Sequence, residues 1–333
     1  MQENTSSGAQ DWQQLVIDAT ACTNPQRLDT IQSLWSGFGD IFRVTANHKT
    51  FIIKHVNPPF EGCHPHGWKS DFASHRKLKS YAVETYWYQH LSNRCSDACR
   101  VANFLGARQD GLQRWLLLED LDAAGFALRF QSLTVSQALV CLDWLANFHA
   151  QFINIDTSNL WQVGSYWHLD TRPDEFTAMG EGPLKQHAAQ IDQILNQCLY
   201  QTLIHGDAKV ANFCFSKHDT VAAVDFQYTG GGCGMKDVAY FIGSCFNEDE
   251  CTDHADALLD HYFTSLDTAL RREDPAVDAK QLELEWRALY PLAWTDFYRF
   301  LDGWMPSHNK IHRYTRALAE QTFDTLPAFQ PDS

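Results

Sequence analysis

Apolar residues in this chain change rhythm several times, and each change marks an element. From Leu203 to Phe226 the sequence reads as three short apolar strands with polar residues held between them, the last being the uninterrupted run Val221–Val224, bounded by Asp219, Thr220 and Asp225. Further upstream, Phe51-Ile52-Ile53-Lys54 predicts an apolar strand that ends in a lysine, and Trp115-Leu116-Leu117-Leu118 a buried strand interrupted by Glu119-Asp120-Leu121. Helical spacing governs the rest. Phe72, Leu78, Tyr81, Tyr86 and Leu91 place a helix over Asp71–Leu91 with Glu84 in its middle, and Trp12–Ala21 predicts a first helix packed on the small sheet. Thr134 and Gln137 form a capping-box signature that opens a helix carrying Ala138, Leu139, Leu142, Leu145, Phe148 and Phe152, the expected central core helix. His149 near its end reads as a hydrogen-bonded core residue. Helices are also expected over Gln186–Leu199, Thr252–Arg271, Asp278–Leu301 with an interruption at Pro291, and Lys310–Phe323.

Between these elements lie four informative stretches. Ser36-Gly37-Phe38-Gly39-Asp40 sets two glycines between strand-like residues, as a hairpin requires if its backbone is to approach phosphates closely. Residues 57–68 form a Pro- and Gly-rich loop, expected to be mobile. Its Cys63, His64 and His66 are too close together to meet one tetrahedral ion, so no metal site is expected there. Asn154–Gly182 is aromatic and turn-rich, and either shapes a pocket or packs its rings on the larger lobe. Gly230, Gly231, Gly232 and Gly234 permit a tight backbone path, after which Asp237 is placed to cap a helix. Residues 1–10 read as disordered.

Composition narrows the classes. Across 333 residues, 26 Lys and Arg stand against 41 Asp and Glu, a net charge of −15, which disfavours nonspecific binding to nucleic acid or acidic membrane. No window approaches a membrane-spanning length. The ten cysteines are scattered and Met1–Gln14 is polar without an apolar signal run, so reduced thiols and a cytoplasmic location are expected. Cys95 and Cys99 would face each other on a helix, without the second ligand pair that zinc needs. Oligomeric state is not legible.

Asp207 and Asp225 stand amid much apolar surface, where ionised carboxylates are costly unless a cation compensates, commonly a metal ion with its phosphate. Asn212 adds a neutral oxygen, and Lys209 lies two residues from Asp207. Such a set suits phosphoryl transfer. His205-Gly206-Asp207, with Lys209, Asn212 and Asp225, resembles the catalytic loop and metal-binding aspartate of the protein-kinase-like superfamily in the form used by its small-molecule branch of aminoglycoside phosphotransferases, choline kinases and ecdysteroid kinases. Gln227 and the stretch Gly234–Phe241 look most like the ecdysteroid-kinase-like group. Gly206 stands where protein kinases usually carry Arg, and Phe42 replaces the third glycine of the fuller glycine-rich pattern.

The resemblance implies an α+β, two-lobed fold with a small N-terminal antiparallel-sheet lobe over residues 1–121 and a larger, mainly helical lobe over 122–333. It implies ATP and Mg2+ as cofactors and a small-molecule hydroxyl as acceptor. By the same resemblance Gly37, Phe38, Gly39, Lys54, Glu84, Glu119 and Leu121 bind nucleotide, with Glu84 holding Lys54 and the segment at 119–121 forming the hinge. Asn212 and Asp225 hold the metal, Asp207 is the base and Lys209 neutralises the transferring group. C-terminal helices would build the acceptor pocket: their aromatics, Trp286, Tyr290, Trp294, Phe297, Tyr298 and Trp304, with Asp296 and Asp302, suit a cationic acceptor or a flat apolar one, or belong to the core. A kinase-fold binding protein without catalysis and a protein kinase are the alternatives. The first would be free to lose Lys54, Asp207, Asn212 or Asp225, and the second is disfavoured by Gly206.

Overall fold

The computed structural model describes residues 5–58 and 71–326. Its N-terminal part is a five-stranded antiparallel sheet in the order β1-β2-β3-β5-β4, formed by β1 (Gln26–Ser33), β2 (Gly39–Ala46), β3 (Lys49–Val56), β4 (Phe104–Asp110) and β5 (Gln113–Glu119). Alternation along the strands sorts their side chains between two faces. Phe42, Val44, Phe51, Ile53, Trp115 and Leu117 pack with Trp12, Leu15 and Val16 of α1 (Thr5–Thr20). The intervening residues Ile52, Lys54, Leu116 and Leu118 face the other way, toward α2 (Asp71–His90) and the remainder of the molecule. Lys54 pairs with Leu116 across the ladder, so the strand that carries the lysine is held on both sides.

Two departures from the sequence expectations occur here. The first helix begins at Thr5, inside the stretch read as disordered, because its later turns find an apolar surface on the sheet. Strand β1 was not anticipated: all its residues are exposed and only Leu28 and Ile31 are apolar, so it carries no burial pattern and is recruited by pairing with β2. The loop bearing Cys63, His64 and His66 lies outside the described residues.

The C-terminal part is mainly helical. The predicted capping box of Thr134 and Gln137 starts α3 (Val135–Gln151), against which α7 (Glu248–Glu273) lies. Shorter helices α4 (Pro173–Ala178) and α5 (Pro183–Gln197) lead to the three expected short strands, β6 (Thr202–Ile204), β7 (Phe213–Phe215) and β8 (Val221–Ala223). The glycine run forms a further strand, β9 (Gly230–Gly232), paired with β6. After it come α6 (Met235–Cys245), almost wholly buried, then α8 (Ala279–Trp304) and α9 (Arg313–Thr325). Pro291 does not interrupt α8, whose stretch from Leu289 to Phe297 is buried, so packing holds the helix through the missing hydrogen bond. Cys99 ends a short 3-10 turn and Cys95 follows another, so the two do not share a helix, and all nine described cysteines are free thiols. No described helix is long and apolar enough to cross a membrane.

The two parts meet through α2. Its Trp87 is fully buried and stacks on Phe226, with ring centroids 3.6 Å apart and planes 6° from parallel. Phe226 touches Trp144 and Phe148 of α3 in turn. Truncating a buried indole leaves a large cavity, so Trp87→Ala should lower unfolding free energy by about 3–5 kcal/mol. Denaturant unfolding of the variant at less than half that cost would show that the stack is not the joint between the sheet and the helical core.

Candidate active site

Strand β6 delivers the chain into His205-Gly206-Asp207. Gly206 has φ +78°, and a Cβ there would stand 2.1 Å from the carbonyl oxygen of Tyr228, so no side chain fits the position. Asp237, on the first turn of α6 and fully buried, accepts hydrogen bonds from the backbone N–H groups of His205 at 2.6 Å and Gly206 at 2.9 Å. It therefore holds this turn and does not cap its own helix, whose N-cap is Gly234. His149, as expected a core histidine, lies 3.2 Å from the same carboxylate through Nε2 and 2.8 Å from the Tyr262 hydroxyl through Nδ1.

Asp207 projects from this turn and is 6% exposed. Its Oδ2 accepts from Lys209 Nζ at 2.9 Å and from Asn212 Nδ2 at 3.2 Å, while its buried Oδ1 has no partner among the described residues. Asn212 also donates to the Asp207 carbonyl at 2.8 Å, which turns its amide oxygen away from the loop. Asp225 follows β8 with φ +70° and is half-buried, 3.8 Å from Lys54 Nζ, and Gln227 Nε2 donates to it at 2.5 Å. Lys54 is in turn 2.6 Å from Glu84 Oε2, the pairing expected from sequence.

The two aspartates are driven apart electrostatically. Burial pushes the Asp207 carboxyl up, and Lys209 pulls it only partly back. Burial acts the same way on Asp225, but Lys54, Lys77 and Lys209 surround it and hold its carboxyl below the usual range. One group is thus disposed to take a proton and the other to stay ionised. Lys77 of α2 donates to Gln227 Oε1 at 2.6 Å, and burial lowers its ammonium to about 8 despite the nearby Asp225.

Two cavities flank the loop. The first, of about 260 Å³, is bounded by Leu34, Ile41, Ile52, Lys54, Glu84, Leu118–Asp122, Asn212 and Asp225. The second, of about 330 Å³, is bounded by Tyr166, Asp207, Lys209, Tyr228, Tyr240, Phe297, Leu301, Trp304, His308 and Lys310. Asp207 faces the second, and Asp225 with Asn212 the first.

Residues 165–273 match the ecdysteroid kinase-like family. That span contains the loop, Asp225, the glycine strand, α6 and α7. Among solved structures the chain is similar to a microcompartment-associated aminopropanol kinase (14% identity, 96% of this chain and 98% of that one, TM-score 0.50). It is equally similar to an amicoumacin kinase in complex with AMP-PNP, Ca2+ and Ami (14% identity, 96% and 94%, TM-score 0.50). These likenesses show the two-lobed protein-kinase-like fold. No curated protein matches the chain.

The residues expected from sequence divide into two groups. Lys54, Glu84, Asp207, Lys209, Asn212 and Asp225 are brought together, and Glu119 and Leu121 border the first cavity. The Glu119 carboxylate is spent on Arg100, at 2.5 Å, and on the Asn103 N–H. Gly37, Phe38 and Gly39 do not line that cavity. The amides of Gly37 and Phe38 donate to carbonyls of their own turn, and the Phe38 ring is buried against Tyr81. Gly39 serves the hairpin: at φ +120°, a Cβ there would lie 2.0 Å from the His55 carbonyl oxygen.

The expected acceptor residues need larger correction. Trp294 is buried, its Nε1 donating to Thr315 Oγ1 at 3.0 Å. Asp296 is 1% exposed and tied to Arg299 at 2.8 Å, Trp167 Nε1 at 3.0 Å and Lys236 at 3.6 Å, so it is not available to a cationic acceptor. Trp286 and Tyr290 are core residues, and Asp302 is not in the cavity wall. Tyr166 does come from the aromatic extension, and Phe297, Leu301 and Trp304 form an i, i+4, i+7 stripe on α8 that helical spacing alone could have singled out. Gln227 and Tyr240 fell in stretches marked only by the family resemblance, and Lys77, Tyr228, His308 and Lys310 carried no comparable signal.

The lowered Lys77 ammonium is open to direct test. Limited acetylation at rising pH, read by peptide mass spectrometry, should label Lys77 with a midpoint of about 8, below the ordinary lysine value of 10.5. A midpoint shared with the exposed lysines would remove the buried environment assigned to it.

Proposed function

We propose that this protein is an ATP- and Mg2+-dependent phosphotransferase that moves the γ-phosphate to a hydroxyl of a small molecule, with Asp207 as base. The observation that carries this reading is the Asp207 carboxylate: buried, facing the aromatic cavity, with Oδ1 unpartnered and its proton affinity raised. The acceptor oxygen would form a bond to the γ-phosphorus as the bond to the β,γ-bridging oxygen breaks, and the hydroxyl proton would pass to Asp207. Lys209, 2.9 Å from that carboxylate, is placed to offset charge on the transferring group. The nucleotide would occupy the first cavity, its phosphates near Lys54 and its base toward the segment from Leu118 to Asp122, with the two lobes joined near residue 121 in this reading.

The residues present suit magnesium. Asp225 and the amide oxygen of Asn212 are hard oxygen donors, and among the described residues no three His, Cys, Asp or Glu form a metal cage. Such a sparse set fits an ion that takes its other ligands from phosphate and water. Magnesium would neutralise phosphate charge, and Asp225, held ionised by the surrounding lysines, would remain its ligand across the neutral range. The free thiols support a cytoplasmic location.

Asp207→Asn should retain Mg-ATP binding while turnover falls by about two to four orders of magnitude. In the wild type, kcat/KM should decline as pH drops through the raised Asp207 value, above the 3.8 of an ordinary aspartate, because the protonated carboxyl no longer accepts the hydroxyl proton. Near-native turnover by Asp207→Asn would remove it from the mechanism. Asp225→Ala should abolish the magnesium dependence of ATP binding with the fold intact; calorimetry showing unchanged Mg-ATP affinity would exclude Asp225 as the ligand.

A further inference from the structure

The cavity beside Asp207 is aromatic, yet its charges are not those that an amine requires. Of the charged side chains in its wall, Asp207 and Lys209 pair at 2.9 Å and offset each other. Lys310 remains. Its ammonium stands 5.5 Å from the Tyr240 ring centre and 5.9 Å from that of Phe297, and among the described residues no carboxylate lies within ion-pair distance of it. Burial lowers its proton affinity, and Asp207 does little to restore it.

The position of Lys310 is built by its surroundings. Its backbone N–H donates to His308 Nδ1 at 3.2 Å, and its carbonyl accepts from Thr315 Oγ1 at 2.6 Å. The same Thr315 oxygen accepts from Trp294 Nε1 at 3.0 Å, so Trp294 supports the lysine loop from behind the wall and does not stack on an acceptor. Because His308 Nδ1 accepts, its proton belongs on Nε2, and burial together with Lys310 keeps the ring neutral near pH 7. The carboxylate closest to serving a cation, Asp296, is spent on Arg299 and Lys236. An ammonium entering this cavity would meet a like charge in a partly dry site, and an oxyanion would complete the one ion pair that is missing.

We propose that the acceptor is a planar, largely apolar alcohol that carries an oxyanion, a carboxylate being the simplest case, and that Lys310 is the residue that selects it. The proposal rests on the reading of Asp207 as the base beside which the acceptor binds. It deepens that reading, since aromatic walls alone would accept any flat alcohol.

The test uses the full chain with AMP-PNP and Mg2+ and three ligands matched on one ring: a hydroxynaphthoate, the corresponding naphthol, and the corresponding (aminomethyl)naphthol. Calorimetry should rank them in that order, the naphthoate binding about tenfold or more tighter than the naphthol, as one partly desolvated ion pair supplies. Lys310→Met should erase the naphthoate's advantage over the naphthol, and Lys310→Glu should place the amine above the naphthoate. Equal affinities, tightest binding of the amine, no binding of any ring compound, or an unchanged ranking in Lys310→Met would each overturn the proposal. Mg-ATP titration of the same wild-type sample separates the two levels. Intact Mg-ATP binding with the wrong ranking defeats only the acceptor class, whereas absent Mg-ATP binding defeats the phosphotransferase reading as well.

Discussion

The Asp237 carboxylate, with no solvent exposure, accepts the N–H groups of two consecutive residues in the turn that carries Asp207, and the rest of the site depends on that grip. Backbone donors in such a dry place must be satisfied, and an anion satisfies two of them at once with charge-assisted bonds. The donors directly follow the strand that pairs with the glycine run, and the acceptor sits on the helix that comes after the run. Fixing one end of this segment therefore fixes the other. Gly206 belongs to the same constraint, since the Tyr228 carbonyl occupies the space a side chain would need. The absence of the protein-kinase arginine at this position is thus imposed by packing.

A second layer of order is electrostatic. Three lysines, from a sheet strand, from α2 and from the loop itself, surround Asp225, whereas Asp207 has Lys209 as its close cation. Two carboxylates on either side of one loop, each facing its own cavity, thereby acquire different proton affinities, which is the condition for one to handle protons and the other to remain a fixed anion. Glu84 completes the arrangement from behind. Burial pushes its carboxyl up and Lys54 draws it partly back, and the pair anchors the lysine in the wall of the first cavity.

The cavity beside Asp207 obeys a different rule. Aromatic side chains from four segments converge on it, and polar groups that might have decorated it are turned inward: Asp296, Arg299, Lys236 and the Trp167 indole form a buried cluster behind the wall. Buried ions survive only when paired, and pairing withdraws them from any ligand. What the cavity presents is therefore a hydrophobic surface, one carboxylate paired with Lys209 and one cation without an acid.

Several features were legible in the chain because each rests on a local rule. The capping box of α3, the apolar runs of β6, β7 and β8, the strand bearing Lys54 and the helix bearing Glu84 follow from spacing and side-chain chemistry within a few residues. The order of Lys54, Glu84, Asp207, Asn212 and Asp225, taken with the family resemblance, anticipated that they would meet, and they do. Other features were decided only by contacts between distant segments. Strand β1 has no burial pattern and exists because β2 offers it an edge, α8 runs through Pro291 because its surroundings are packed, and Phe38 turns from the glycine-bearing hairpin into a core formed with Tyr81. The contrast is sharpest on α8 and the loop beyond it. Composition could say that Asp296, Trp304 and Lys310 lie near one another in sequence, but which of them is buried in an ion pair, which lines a cavity and which is left uncompensated depends on what packs against each, and periodicity carries no record of that.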